Sequence, residues 1–136
     1  MRVMALDVGD KTIGIAISDA LLLTAQARPT LHRSSLAADL DHLRRLAEEN
    51  EVHEIIVGEP LHTDGTPSAQ SEKVHRFAER LRKIVDLPVV FWDERFTSFA
   101  AEEHLREMGL DWRKRRKQVD KVAAMLILQG YLDNRR

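Results

Sequence analysis

The sequence predicts an α/β fold, a mixed five-stranded sheet flanked by helices on both faces. Three observations carry this reading. Two apolar runs open the chain and are joined by a turn too short for a crossover, so they pair antiparallel. Later strands alternate with amphipathic helices, which adds strands in parallel. Three strands end on an acid, as expected where an open sheet gathers a site at its carboxyl edge.

Residues 2–7 and about 12–18 form the opening hairpin, with Gly9 and Asp10 in its turn. Val3-Met4-Ala5-Leu6 is apolar on both alternating faces, the mark of a strand covered on both sides. A weaker strand is expected near Ala27–His32, where Pro29 places it at a sheet edge. Ser34 or Ser35 caps a helix through about Asn50, with Leu36, Leu40, Leu43 and Ala47 on its buried stripe. His53–Val57 reads as a short strand ending in Gly58-Glu59-Pro60.

After the loop "LHTDGT", Thr66 caps a helix with Pro67 at its first position. Val74, Phe77, Ala78, Leu81 and Val85 form its apolar stripe. Pro88–Trp92 is the fifth strand, closed by Asp93-Glu94. A helix begins at Thr97 or Ser98 and runs to about Met108, where Gly109 ends it. The segment "DWRKRRKQ" reads as a basic loop before a final helix from about Val119 to Leu132.

A chain of 136 residues is one domain's worth, so 1–136 is taken as a single domain. With 43% apolar and 32% charged residues it is a soluble globular protein. A net charge of −1 excludes a polycation, so any nucleic-acid surface has to be a local patch. The absence of cysteine excludes disulfides, zinc–cysteine sites and thiol chemistry. No apolar run reaches the roughly 18 residues of a membrane span, and the N-terminus reads as a strand, so the expected location is the cytoplasm.

Asp7, Glu59 and Asp93 or Glu94 are the strand-end acids. If their strands are parallel neighbours the carboxylates converge and raise one another's proton affinity. A hard divalent cation removes that conflict, and magnesium takes oxygen ligands of this kind. Asp120, in register with Ala123 and Ala124 on the last helix, is a fourth candidate. Solvated strand ends and an exposed helix acid are the bland alternatives. The six histidines, at 32, 42, 53, 62, 75 and 104, show no metal-ligand spacing, and only His62 lies beside the Glu59 loop.

Together, "LDVGDKTIGIAISD", "VGEP" with the Gly-containing loop after it, "DERFTS" and "DKVAAMLILQGYL" resemble the YqgF/RuvX family. That family is related to the RuvC Holliday-junction resolvases and has an RNase H-like fold. The four motifs run in order over nearly the whole chain. The family is described as a nuclease maturing the 5′ end of the 16S ribosomal RNA precursor, and in an earlier description as a Holliday-junction resolvase. The resemblance implies that Asp7 is the central metal ligand, with Glu94 or its neighbour Asp93 supplying a second acid and Asp120 a third. Glu59 departs from the family's pattern, which often has an apolar residue there; it matches the strand-end acid of the RuvC resolvases and is either a further ligand or a polar rim residue. Because successive strand residues face opposite ways, Asp93 and Glu94 should not both enter the site, and the longer Glu94 is favoured.

The expected chemistry is phosphodiester hydrolysis with two Mg²⁺ or Mn²⁺ ions about 4 Å apart, held by Asp7, Glu94 and Asp120. Lys11, Arg95 and Thr97 are candidate phosphate contacts. The dense block Arg113, Lys114, Arg115, Arg116 and Lys117 is either a solvated loop or a flap that grips a nucleic-acid backbone, with Trp112 able to stack on a base. The partner is precursor ribosomal RNA or branched DNA, with no membrane. A resolvase needs two active sites and hence a dimer; the sequence itself leaves monomer and homodimer open. A non-catalytic nucleic-acid or ribosome-binding factor is the reading from a different class. An actin-like ATPase would need two such domains, and "GDKT" lacks the P-loop spacing.

Overall fold

The computed structural model describes the backbone of residues 1–94 and 112–134, and the side chains of 1–94 and 122–134. Its elements run β1 (Arg2–Val8), β2 (Thr12–Ser18), β3 (Ala25–His32), α1 (Leu36–Glu49), β4 (Val52–Glu59), α2 (Ala69–Arg82), β5 (Val89–Asp93) and α3 (Trp112–Asn134). The helix expected between Thr97 and Met108, and its stop at Gly109, lie outside the described residues.

The five strands form one sheet in the order β3-β2-β1-β4-β5. β1 pairs antiparallel with β2 and parallel with β4, and β5 adds parallel to β4. The opening hairpin and the later alternation thus build the mixed sheet the sequence predicts. β3, with Pro29, is an edge strand.

Alternation along each strand divides the core in two. Met4, Leu6, Ile13, Ile15, Ile55, Val57 and Val89 pack with Leu43, Val74, Phe77 and Leu81 from α1 and α2. Val3, Ala5, Ala16 and Ile56 pack on the other face with Ala124, Ile127, Leu128 and Leu132 of α3. The small residues Ala5, Ala16 and Ala124 let α3 lie close across the sheet, over β1, β2 and β3.

Ser35 caps α1, accepting a hydrogen bond from the Ala38 amide at 3.1 Å. The stripe Leu40, Leu43 and Ala47 is buried as expected, whereas Leu36, at the first helical position, stays exposed. α1 ends with Glu51 in the left-handed region (φ 54).

Two helix starts differ from the sequence reading. α2 is capped by Ser68, not Thr66. Ser68 closes a reciprocal box with Ser71: the Ser71 amide donates to Ser68 Oγ at 3.0 Å, and the Ser68 amide to Ser71 Oγ at 2.8 Å. Thr66 has only Ala69 three residues on, so no such box is open to it; its amide turns back to Asp64 Oδ1 at 2.9 Å. The last helix begins at Trp112, so the basic run lies in its first turns and not in a loop. "WRKRRKQ" contains no glycine or proline, and its Arg, Lys and Gln residues are good helix formers.

Candidate active site at the carboxyl edge of the sheet

Strand parity decides which acids can meet. On β1, Val3 and Ala5 face α3, and Asp7 continues that series. On β5, Trp92 packs with α3 while Val89 and Phe91 pack with α2, so Glu94 follows Trp92 and Asp93 follows Phe91. Asp7 and Glu94 therefore share the α3 face, although β4 lies between their strands.

The gap over β4 is closed by a side chain reaching across a glycine. Leu6 pairs with Val57, and Gly58 with Trp92, which brings Asp7 level with Gly58. A Cβ on Gly58 would sit 2.7 Å from Ile127 Cδ1 and 2.8 Å from Glu94 Cδ, and closer still to Glu94 Oε1. The carboxyl group of Glu94 thus occupies the space a side chain at 58 would fill. It is hydrogen-bonded there to Asp7.

That placement fixes its protonation. Burial, then the hydrogen bond to Asp7, then the charges of Asp7 and Asp93 push the Glu94 carboxyl up to about 9. The residue is largely buried, and its carboxyl end lies over Gly58, beside Ile127. At neutral pH Glu94 keeps its proton and donates it to Asp7.

Glu59 is not brought to this pair. It shares the parity of Ile55 and Val57 and lies on the α2 face, where His75 Nε2 meets its Oε1 at 2.7 Å. His75 in turn stacks on Phe91, ring centroids 4.0 Å apart. His75, and not the exposed His62, is the histidine beside Glu59; helix spacing from Val74 and Ala78 could have indicated that α2 lies over this strand end. Asp120 lies in α3, the helix that covers the Asp7 face, but its side chain is outside the described residues. The same holds for the side chains of Arg113, Lys114, Arg115, Arg116 and Lys117, and for Arg95 and Thr97 altogether.

The β1–β2 turn holds Lys11 exposed at the same sheet edge. Gly9 is set by the turn itself: its amide donates to Thr12 O at 2.9 Å, and a Cβ would approach that oxygen to 3.0 Å. Arg33 braces the turn from below, Nη1 donating to Gly9 O at 2.8 Å while Nε pairs with the buried Asp39 at 3.2 Å. The Ser34 amide also donates to Asp39 Oδ1 at 3.1 Å. This buried pair was not apparent in the sequence.

Two carboxyl groups forced to share a proton are a donor set that suits a hard divalent cation, because the cation replaces the proton with stronger charge compensation. Among the described residues, no third His, Asp or Glu side chain completes a metal cluster with them.

The profile of the RuvX family, described as Holliday junction resolvase, matches residues 1–134. A relative in Clostridium novyi (strain NT), named "Putative pre-16S rRNA nuclease", is 48% identical over 134 residues, covering 98% of this chain and 99% of its own. A relative of the same name in Heliobacterium modesticaldum is 48% identical over 133 residues, covering 98% of this chain and 89% of its own. Among solved structures, T. thermophilus RuvC in complex with Holliday junction substrate superposes with a TM-score of 0.61 at 15% identity, covering 99% of this chain and 95% of that one. The Fowlpox virus resolvase in its Holliday junction complex gives 0.58 at 12% identity, covering 98% of both chains. These likenesses show the RuvC-like, RNase H-like fold that the motifs implied.

Proposed function

Because the chain belongs to the RuvX family, we propose that it is a metal-dependent nuclease that hydrolyses phosphodiester bonds in precursor 16S ribosomal RNA. The observation that carries the reading is the Asp7–Glu94 pair: two carboxyl groups from separate strands, held in contact over Gly58 and sharing a proton. A buried apolar strand fixes Asp7 rigidly, as a site built on a strand requires.

Asp7, Glu94 and, from its place on α3, Asp120 would hold Mg²⁺ or Mn²⁺. When bound, such ions polarise a phosphoryl oxygen and lower the pKa of water. Asp7 supplies an ionised oxygen at a fixed position. Glu94 gives up its proton when a cation takes its place, so it is a ligand only of the loaded site. Lys11, exposed in the β1–β2 turn at the carboxyl edge of β1, would supply positive charge for the incoming phosphate. Arg95, Thr97 and the basic first turns of α3 are proposed as further backbone contacts.

The relatives 46–48% identical to this chain carry the ribosomal RNA name, which favours RNA as substrate and the cytoplasm as location. The family description favours branched DNA as a second substrate; cutting a four-way junction twice would take two copies of the chain. Purified wild-type and Asp7→Asn proteins are assayed with Mg²⁺ or Mn²⁺ on precursor 16S RNA, single-stranded RNA and four-way junction DNA. Cleavage of precursor RNA by the wild type, lowered at least a hundredfold in the variant, is expected. Preferential junction cleavage would transfer the function to DNA. Cleavage by Asp7→Asn at the wild-type rate would remove Asp7 from the mechanism, and no cleavage by either protein would favour a non-catalytic binding factor.

A further inference from the structure

On the sheet face opposite Asp7 lies an open groove of about 570 Å³ between the β1–β2 turn and α2. Val8 and Phe77 form its apolar floor. Its rim carries Arg33, Lys73, Arg76, Arg80 and Lys83. The last four recur at intervals of three and four residues, so they lie along one side of α2 and its cap. At about 1.5 Å per residue the row is about 15 Å long.

Two carboxylates also line the groove, and both are already engaged: Asp10 with Lys73 at 3.3 Å, and Glu79 with Arg82. Arg76, Arg80 and Lys83 are exposed and have no acidic partner among the described residues. α1 is built differently, for its Arg44 and Arg45 are both paired with Asp41. In a chain of net charge −1, three unneutralised cations in a row along one groove are a concentrated positive field. The helix dipole accounts for basic residues in the last turn of α2, but not for Arg76 in its middle.

We propose that this groove binds the phosphodiester backbone of the substrate RNA strand outside the cleavage site. A row of about 15 Å spans about four phosphates of a stacked strand at about 3.4 Å each. A small anion would need cations converging on one point, and these are spread along a line. The groove starts where the proposed active site ends: Val8 lines it, and Asp7, the preceding residue, faces the other side of the sheet. A strand leaving the carboxylates passes around the carboxyl edge of β1, by Lys11, and enters the groove beside Arg33. The inference rests on the nuclease reading only in taking RNA as the ligand.

The test is fluorescence anisotropy of full-length protein with labelled single-stranded RNA of 20 nucleotides, in metal-free buffer, over a range of salt. The triple variant R76Q/R80Q/K83Q is compared with wild type and with R44Q/R45Q as control. The triple variant is expected to bind at least tenfold more weakly and to lower the slope of log Kd against log salt by about 2, three contacts at about 0.7 each. R76Q alone, away from the helix end, is expected to lower the slope by about 0.7 without changing the melting temperature. The control is expected to stay within twofold. An unchanged affinity and slope in both R76Q and the triple variant overturns the proposal, as does a wild type that does not bind the RNA. Continued cleavage by Asp7→Asn would defeat the nuclease mechanism and leave this binding result standing.

Discussion

Glu94 is hydrogen-bonded to Asp7 from two strands away, over the bare backbone of Gly58. The site therefore depends on a residue that contributes no side chain. Gly58→Ala would press a methyl group into Ile127 and the Glu94 carboxyl, and overpacking of this kind costs about 1–3 kcal/mol. Glu94 has the freer path, since it sits at the strand tip, so the expected outcome is a folded protein whose cleavage rate falls at least tenfold. Denaturant unfolding together with the RNA cleavage assay checks this. Full activity in Gly58→Ala would mean that Glu94 need not reach Asp7.

The shared proton makes stability depend on pH in an unusual direction. The Glu94 carboxyl titrates near 9 in the folded chain, against 4.5 as the ordinary value. Between those values the folded state holds a proton that the unfolded state has released. Stability contributed by this group is present below about 4.5 and is lost as pH rises toward 9. Without metal, the melting temperature is expected to fall from pH 5 to pH 9, and Glu94→Gln, a fixed copy of the protonated group, is expected to flatten that fall. Saturating Mg²⁺ is expected to raise the wild-type melting temperature more at pH 8.5 than at pH 6, since the cation must displace the proton. Equal pH slopes in wild type and Glu94→Gln would defeat the shared-proton description.

Much of this site could be read before the structure, and the parts that could not have physical reasons. A strand apolar on both faces that ends in an acid singled out Asp7; alternation said only that one of Asp93 and Glu94 could enter the site, and the longer reach of Glu94 favoured it. Glu59 had the same local signature as Asp7. Its opposite orientation follows from parity only once the β1–β4 register is known, and register is a tertiary property. Gly58 looked like a strand terminator because nothing local says what lies over it. Asp39 sits in the first turn of α1, where an acid normally faces water; its burial depends on Arg33, which lies before the helix. The start of α3 was placed late because a run of like charges reads as a solvated loop, although each of its residues favours helix.

Glu59 gives a direct check on parity. It faces α2 and pairs with His75, so Glu59→Gln is expected to leave cleavage within about twofold of wild type and metal affinity unchanged. A loss of activity as deep as that of Asp7→Asn would return Glu59 to the metal site and require the end of β4 to twist through the sheet.

The Arg33–Asp39 pair ties the β1–β2 turn to the start of α1. Asp39 is 2% exposed and accepts from both Arg33 Nε and the Ser34 amide. Asp39→Ala leaves Arg33 without its carboxylate and the Ser34 amide without an acceptor, a loss of about 3 kcal/mol. Arg33 also holds Gly9 O, so the turn that presents Lys11 loosens with it. The expected result is a lower melting temperature with a smaller loss of RNA affinity. Asp39→Asn keeps the acceptor for Ser34 but not the charge, and is expected to fall between wild type and Asp39→Ala. Wild-type stability in Asp39→Ala would show that the turn does not depend on the pair.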